Sequence, residues 1–448
     1  MEFAGRTCVR TETDAQGKIK YYILQKTGAE NGSGTARARL PADEIKLTPE
    51  QLFGRLSRSS SYVNNVVLDS HGHLQITHWN TPVSAVRPPK SYTVMHLDRK
   101  VASIRKNGTC TVYSKSFMPY DLYLESCEET DLDGRMNNLT NFNYWCSSRV
   151  ITLERKYAKE ILNSIGASQL DTDKVRSQTA LSYHALSLTD VFWVKRHWEE
   201  ASFSGINLYD NSLSNAFVDI SLRGKQMTVD NSGKLASSLG TAGVAPKAWL
   251  RRDGTFFLIK DGDSREVQNE LLASRICRCF AADQVLYEPD EYDGLPVSKS
   301  KIITSKEQSI INMQSFEVYA VNHGIDKFSY ILKKDGYSYY MMNILDYLVG
   351  NTDRHWGNWG FFVDNKTNLL QKLHPLMDFN KSFLSYDSVD GANCLTAPKA
   401  CTQREAAVEA VRAVGLNQIS EISPEWFPDP DTCSMFRKRL SILKQEIR

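Results

Sequence analysis

The sharpest chemistry in the chain lies in Asn351-Thr352-Asp353-Arg354-His355-Trp356-Gly357-Asn358. Asp353 and Asn358 stand five positions apart, directly after an apolar stretch. A carboxylate in such a segment can accept or orient the proton of a substrate hydroxyl, and an amide oxygen can ligate magnesium. A metal that bridges phosphates also needs an anionic ligand. Asp378, in Met377-Asp378-Phe379-Asn380, follows one hairpin later, and that hairpin returns it beside Asp353. Magnesium takes oxygen ligands and keeps several waters, so Asn358 and Asp378 suffice as protein ligands. Asp and Asn are also ordinary turn residues. The octapeptide alone does not separate the two readings, and Asp378 is what favours catalysis. His355 can be read as a metal ligand or as a residue that hydrogen-bonds its own loop. No second histidine stands at ligand spacing, which favours the loop role.

Phosphates also need a fixed cation and a loop to cover them. Lys260 ends an apolar strand, Phe256-Phe257-Leu258-Ile259-Lys260, and a strand lysine is a fixed point charge for phosphate oxygens. An edge-strand lysine that snorkels to water has the same pattern. Before the strands lies Gly240-Thr241-Ala242-Gly243-Val244-Ala245-Pro246. Its glycines let backbone N–H groups approach phosphate, and Gly240, Thr241 and Gly243 are its candidate contacts. Glu270, on the following helix, is a candidate partner for Lys260, with Glu266 competing for the role.

The elements that position these residues are readable in outline. Strands are expected over 21–25 and 91–96, and a hairpin over Val101 to Tyr113 turning at Asn107-Gly108. Glu30 to Thr35 reads as a surface loop, because no Lys-Ser/Thr and no helix follow it. Helices are expected from Thr48 and over Leu153 to Ile165, the second stopped by Gly166. In 187–199, Phe192, Trp193 and Trp198 read as core aromatics rather than a binding surface. A boundary is expected in the Asn-, Ser- and Gly-rich stretch Asp210 to Gly233. Two strands, 247–252 and 255–260, follow, turning at Asp253-Gly254, and then a helix from Arg265 to Phe280 with Leu272, Ile276 and Phe280 on its buried stripe. Helices dominate up to Gly350. A hairpin is expected over Trp359 to Met377, then helices near 403–414 and 433–447, the first with Thr402 and Glu405 as a capping box and Gly415 as its stop.

Composition excludes several classes. The chain has 448 residues, 41% of them hydrophobic, so two to four domains can form. With 54 Lys plus Arg against 52 Asp plus Glu, the net charge is only +2, and no direct nucleic-acid binding is expected. The nine cysteines include no CxxC pair and read as reduced thiols without a zinc site. The N-terminus lacks a signal-peptide core, and the apolar stretch Tyr339 to Val349 is interrupted by Asn343 and Asp346 and is too short to span a bilayer. A soluble, cytoplasmic protein is expected.

These motifs resemble the HipA-like serine/threonine kinases of bacteria and their phages, within the superfamily that also holds the phosphatidylinositol 3/4-kinases. The resemblance is carried by Ala242 to Lys247, the strand Lys260, Gly350 through Asn358, and Pro375-Leu376-Met377-Asp378-Phe379, and spans roughly residues 235–400. Ser187 to Trp193 also looks like this family, with no chemistry attached. The resemblance implies an α+β fold: a bilobal protein-kinase-like domain preceded by an α/β accessory region. The divisions expected are 1–145 accessory, 146–234 mainly helical connector, 235–304 N-lobe and 305–448 C-lobe. It implies ATP and Mg2+ as cofactors, Asp353 as base, Asn358 and Asp378 as metal ligands, and Lys260 on ATP. It further implies a protein substrate and a small antitoxin-like regulator as partners. In the family a phosphate-loop serine silences the enzyme by autophosphorylation; Gly240 stands about there, and the nearest hydroxyls are Ser237, Ser238 and Thr241. A phosphoinositide-type lipid kinase shares the Asp-Arg-His-x-x-Asn pattern but would need a basic membrane-binding element, which the chain lacks. A non-catalytic interaction protein is the remaining alternative, disfavoured by the retained Lys260, Asp353, Asn358 and Asp378. Residues 1–230 are expected to pack on the kinase region and govern partner choice without touching ATP.

Overall fold

The structure is a computed structural model. It describes strands within 2–79 and, continuously apart from short gaps, residues 91–149, 173–210 and 247–447. The expected phosphate loop 240–246, the boundary stretch 211–233, the helices from Thr48 and over 153–165, the loop at 30–35 and Trp198 lie outside the described residues.

The described part mixes helix and sheet. Strand Ile19–Lys26 sits in a four-stranded antiparallel sheet with Glu2–Phe3, Thr7–Thr13 and Ala42–Leu47. A second sheet runs in the order Phe192–Arg196, Ser91–His96, Arg99–Arg105, Cys110–Val112. The expected turn is there: Gly108 has φ 89°, a value open to glycine, and Asn107 Oδ1 accepts from the Thr109 N–H at 3.1 Å. Phe192–Arg196 pairs with Ser91–His96, so the aromatic stretch completes the N-terminal sheet across some hundred residues. Trp193 is fully buried, and its indole N–H donates to the Leu97 carbonyl at 2.6 Å. Helix Leu132–Ser148 covers this sheet with Phe142 and Trp145 buried, and it runs across the expected division at 145/146.

The third sheet has the order Lys247–Arg252, Thr255–Lys260, Leu295–Lys301, Tyr287–Tyr292. Arg252 pairs with Thr255, which fixes a two-residue connection between the first two strands, as the Asp-Gly pair requires. Helix Ser264–Cys277 packs beside it. The helix stops before the expected Phe280, which nevertheless reaches the core from the turn that follows. Cys277 and Cys279 are both buried free thiols.

The main core gathers around helix Lys327–Val349. Asp326 caps its start by accepting from the Ser329 N–H at 2.8 Å. Gly350 ends it at φ 62°, where an added Cβ would meet the Tyr386 ring at 2.4 Å. Helices Met313–Asn322, Gln403–Val414 and Pro430–Gln445 surround it. The expected capping box is present: Thr402 accepts from Glu405 N–H, and Glu405 reaches back to the Thr402 N–H at 2.8 Å. The last sheet is Gln308–Asn312, Gly360–Asp364, Leu369–Leu373. Its third strand ends before Met377 because Pro375 has no N–H for the ladder. The chain then crosses to another partner. The Leu376 N–H donates to Asp283 O and the Val285 N–H to Leu376 O, at 2.9 and 2.8 Å. No helix among the described residues is long and apolar enough to cross a membrane.

A smaller core joins the second sheet to the third: Met95, Leu188, Trp193, Phe203 and Leu208 pack with Phe256. Trp193→Ala removes the largest side chain of that seam. It should cost about 3–5 kcal/mol, the usual range for deleting a buried tryptophan. Urea unfolding of the variant beside the parent measures it.

Candidate functional site

Lys260 ends its strand with its ammonium inside the protein, only 7% of the residue being exposed. Its Nζ donates to Glu270 Oε1 at 2.6 Å and to Asp378 Oδ1 at 2.9 Å. The Tyr287 ring lies 5.0 Å from the same ammonium. Burial opposes the charge, but Asp378 and Glu270 outweigh it, so Lys260 holds its proton well above the usual lysine range. A snorkelling edge lysine is thereby excluded.

The competition between Glu266 and Glu270 is settled by helix geometry. The two are four residues apart on helix Ser264–Cys277 and both face the cleft side. Glu270 is the buried one, with Oε2 accepting from Ser298 Oγ at 2.7 Å on the neighbouring strand. Glu266 pairs with Lys381 instead.

Asp378 is set by three constraints. Its backbone is left-handed at φ 62°, which Asp tolerates better than most residues. Its N–H donates to the Tyr287 hydroxyl at 2.9 Å. Phe379, next in sequence, is fully buried and anchors the turn. Tyr287 therefore serves both Lys260 and Asp378, and nothing in its local sequence announced it.

Asp353 is half-buried. Burial raises its carboxyl above the ordinary range; His355 pulls it down and Asp378 adds to the rise. Asn351 Oδ1 accepts from the Asp353 N–H at 3.2 Å, and Asn358 Nδ2 donates to the Asp353 carbonyl at 2.9 Å. That bond commits the amide nitrogen of Asn358 and leaves Oδ1 as its acceptor. His355 is exposed, and its Nδ1 accepts from the Gly357 N–H at 3.0 Å, the loop-bracing role.

Beneath the loop lies an ion pair that the residue pattern did not expose. Arg354 is 3% exposed and donates from Nε to Asp346 Oδ2 at 2.8 Å and from NH2 to Asp346 Oδ1 at 3.0 Å. Its NH1 donates to the carbonyls of Asn358, at 3.0 Å, and Met377. Burial opposes the guanidinium charge, yet Asp346 holds its proton affinity above the usual arginine value. The one available signal was Asp346 within the apolar stretch Tyr339 to Val349.

Lys260, Asp353, His355, Asn358 and Asp378 share the wall of one cavity of about 1160 Å3. Gly240, Thr241 and Gly243 lie outside the described residues. The donor set toward a cation is an amide oxygen and a carboxylate, which fits magnesium with waters and phosphate completing its shell. Among the described residues no cluster of three or more His, Cys, Asp and Glu could hold a metal alone.

No family model matches the chain, and no curated protein matches it. Solved structures do. A chain of the Shewanella oneidensis MR-1 toxin–antitoxin complex of HipA, HipB and operator DNA is 12% identical, with a TM-score of 0.47, covering 79% of this chain and 97% of that one. The Helicobacter pylori proinflammatory kinase CtkA is 15% identical, with a TM-score of 0.37, covering 47% of this chain and 91% of that one. At such scores neither likeness decides what this chain does.

The Arg354–Asp346 pair can be tested by its two halves. Asp346→Leu strands a buried guanidinium and should cost about 3–5 kcal/mol, while Asp346→Leu with Arg354→Met should recover much of that loss. Thermal unfolding of both variants reads the difference; equal losses would show that the charge pair is not what the site rests on.

Proposed function

We propose that the chain is an ATP-dependent phosphotransferase, a HipA-like protein serine/threonine kinase. The observation that carries this reading is the position of Lys260 Nζ, within hydrogen-bond distance of both Glu270 and Asp378, on a cavity wall shared with Asp353 and Asn358. A lysine on a strand, a glutamate on the next helix, a metal-binding aspartate after a hairpin and an Asp-x4-Asn loop are the parts phosphoryl transfer from ATP requires. In this reading the fold is bilobal, the Lys247–Lys301 sheet with its helix forming the smaller lobe and residues 313–445 the larger.

Each residue then has one task. Lys260, oriented by Glu270, offers its ammonium to the nucleotide phosphates. Asp378 and Asn358 would hold magnesium, which when bound would screen the charge of the phosphates. Asp353 accepts the proton of the acceptor hydroxyl as that oxygen bonds to the γ-phosphorus and the bond to the ADP oxygen breaks. A carboxyl raised by burial is the better base for this step. The acceptor is read as a protein because no basic, membrane-seeking element accompanies the site.

Asp353→Ala should lower turnover on a protein substrate by about 10²–10⁴-fold and leave ATP affinity near that of the parent. Radiolabel transfer and calorimetry read the two quantities; near-normal turnover would remove Asp353 from the role. Asp378→Asn should instead weaken magnesium-dependent ATP binding and turnover together. Because burial raises Asp353, kcat/KM of the parent should decline on acidification at a pH above the ordinary aspartate range. A plateau down to the ordinary range would contradict that.

A further inference from the structure

The cavity extends well beyond the phosphate-binding residues. At about 1160 Å3 it exceeds the usual range for a small-molecule site, roughly 300–1,000 Å3. Its far wall comes from the N-terminal half: Tyr120, Asp121, Arg149 and Asp190, with Ser315 and Asn368 beside them. Residues before 230 thus share the cavity with Lys260 and Asp353.

The charges on this wall are unequally satisfied. Arg149 is buried, and its guanidinium is committed: NH1 and NH2 each donate to an Asp190 carboxylate oxygen at 2.8 Å, and Nε donates to the Ala185 carbonyl at 2.5 Å. Asp121 is held differently. Its carboxylate accepts from Ser315 Oγ at 3.1 Å, and among the described residues no cation stands within ion-pair distance of it. Burial raises its carboxyl, with Arg149 only partly offsetting this. A cation brought alongside would relieve that cost.

Asn368 supplies an independent sign of a missing donor. It is 3% exposed, and its Nδ2 is spent on the carbonyls of Ser116 and Met118 at 3.0 and 3.1 Å. Its Oδ1 is buried and, among the described residues, has no hydrogen-bond partner. Tyr120 ties this turn to the Asp121 segment, its hydroxyl donating to the Asn368 carbonyl at 2.7 Å. A carboxylate and an amide oxygen both accept and cannot donate. What they lack is a group rich in N–H.

The wall is also fixed relative to Asp353. Ser315 lies in the first turn of helix Met313–Asn322. The N–H groups of Met313 and Gln314 donate to the carbonyls of Trp359 and Trp356, at 2.8 and 3.2 Å, in the Asp353 loop. Through Ser315, Asp121 is thus tied to the loop that carries Asp353.

We propose that this wall is the acceptor-substrate subsite, and that it selects a protein segment carrying an arginine or lysine near the hydroxyl to be phosphorylated, the cation seated on Asp121 beside the Asn368 turn. This rests on the phosphotransferase reading for its word acceptor. The planar donor fork of a guanidinium matches the two oxygens of a carboxylate better than a point ammonium does, so arginine is the preferred residue.

The test uses the full chain without ATP and labelled serine peptides that differ at one position, walked along the peptide: arginine, the uncharged apolar norleucine, or glutamate. Fluorescence anisotropy should show the arginine peptide, at its best position, binding at least about tenfold tighter than the norleucine one. Asp121→Asn, nearly isosteric and still able to accept from Ser315, should erase that difference and leave norleucine binding unchanged. Equal binding of arginine and norleucine by the parent, a difference that survives Asp121→Asn, or a preference for glutamate would each overturn the proposal. The parent comparison needs no variant, so a misfolded Asp121→Asn does not blur the result. Phosphate transfer is scored separately: peptide selection without transfer would sink the kinase reading alone, and transfer without charge selection would sink this inference alone.

Discussion

The site depends on one buried ion pair. Arg354 and Asp346 are both almost fully enclosed, where a lone charge would be costly. Their pairing ties the C-terminal turn of helix Lys327–Val349 to the loop that leaves it. Because the guanidinium has donors left over, it also takes the carbonyls of Asn358 and Met377. Those carbonyls sit on, and immediately before, the two residues assigned to the metal. A single cation therefore sets the spacing between Asn358 and Asp378 without touching either side chain. The helix end is held from the other side by Arg439, fully buried, whose NH1 donates to the Tyr347 carbonyl at 2.6 Å. Both arginines satisfy backbone carbonyls that a helix end and an irregular loop otherwise leave open.

Above that base, charges of both signs meet on one cavity wall. Arg354 pairs with Asp346, and Lys381 with Glu266. The Lys260 ammonium bonds to the carboxylates of Glu270 and Asp378, with Asp353 on the same wall. Burial and, less strongly, Asp378 raise the Asp353 carboxyl, while His355, Lys381 and Arg354 pull it down, so charges of both signs act on the group assigned as base. In the proposed reading, magnesium would join Lys260 as a second cation beside Asp378. Glu270 reaches Ser298 as well as Lys260, so the lysine is aimed from two strands and one helix at once.

Much of this was legible in the sequence, and the missing parts share a cause. Strand ends at Arg252 and Lys260, the stop at Gly350 and the Thr402–Glu405 box follow from local rules, in which a residue meets neighbours a few positions away. Motif order assigned Lys260 to phosphate and Asp378 to metal, but not the bond between them, 118 positions apart. Tyr287 did not, because a tyrosine in a strand reads as packing whether or not its hydroxyl takes the Asp378 N–H. Arg354 was visible as part of a motif, yet its partner was hidden eight residues upstream inside a buried helix. Helix Ser264–Cys277 ran shorter than its apolar stripe because Phe280 reaches the same core from a turn. Side chains whose task is set by distant backbone leave no local periodicity to read.

The N-terminal half changes what the site is. Residues 188 and 189 bond to the stretch that links the lysine sheet to the helical part: Thr304 Oγ1 donates to the Leu188 carbonyl at 2.5 Å, and the Ile310 N–H to the Thr189 carbonyl at 3.0 Å. Thr189 and Asp190 belong to the same cavity wall as Asp121. The segment is anchored behind by Trp193 and Phe256 in one core. Any shift of the lysine sheet relative to helix Met313–Asn322 must therefore move or break contacts made by residues 187–193. The stretch that carried no assignable chemistry in the sequence is thus a strap across the link, joining the Lys260 side of the cavity to the Asp121 side. Its aromatic residues are buried because the strap must be rigid, and its polar residues face inward because the cavity is there.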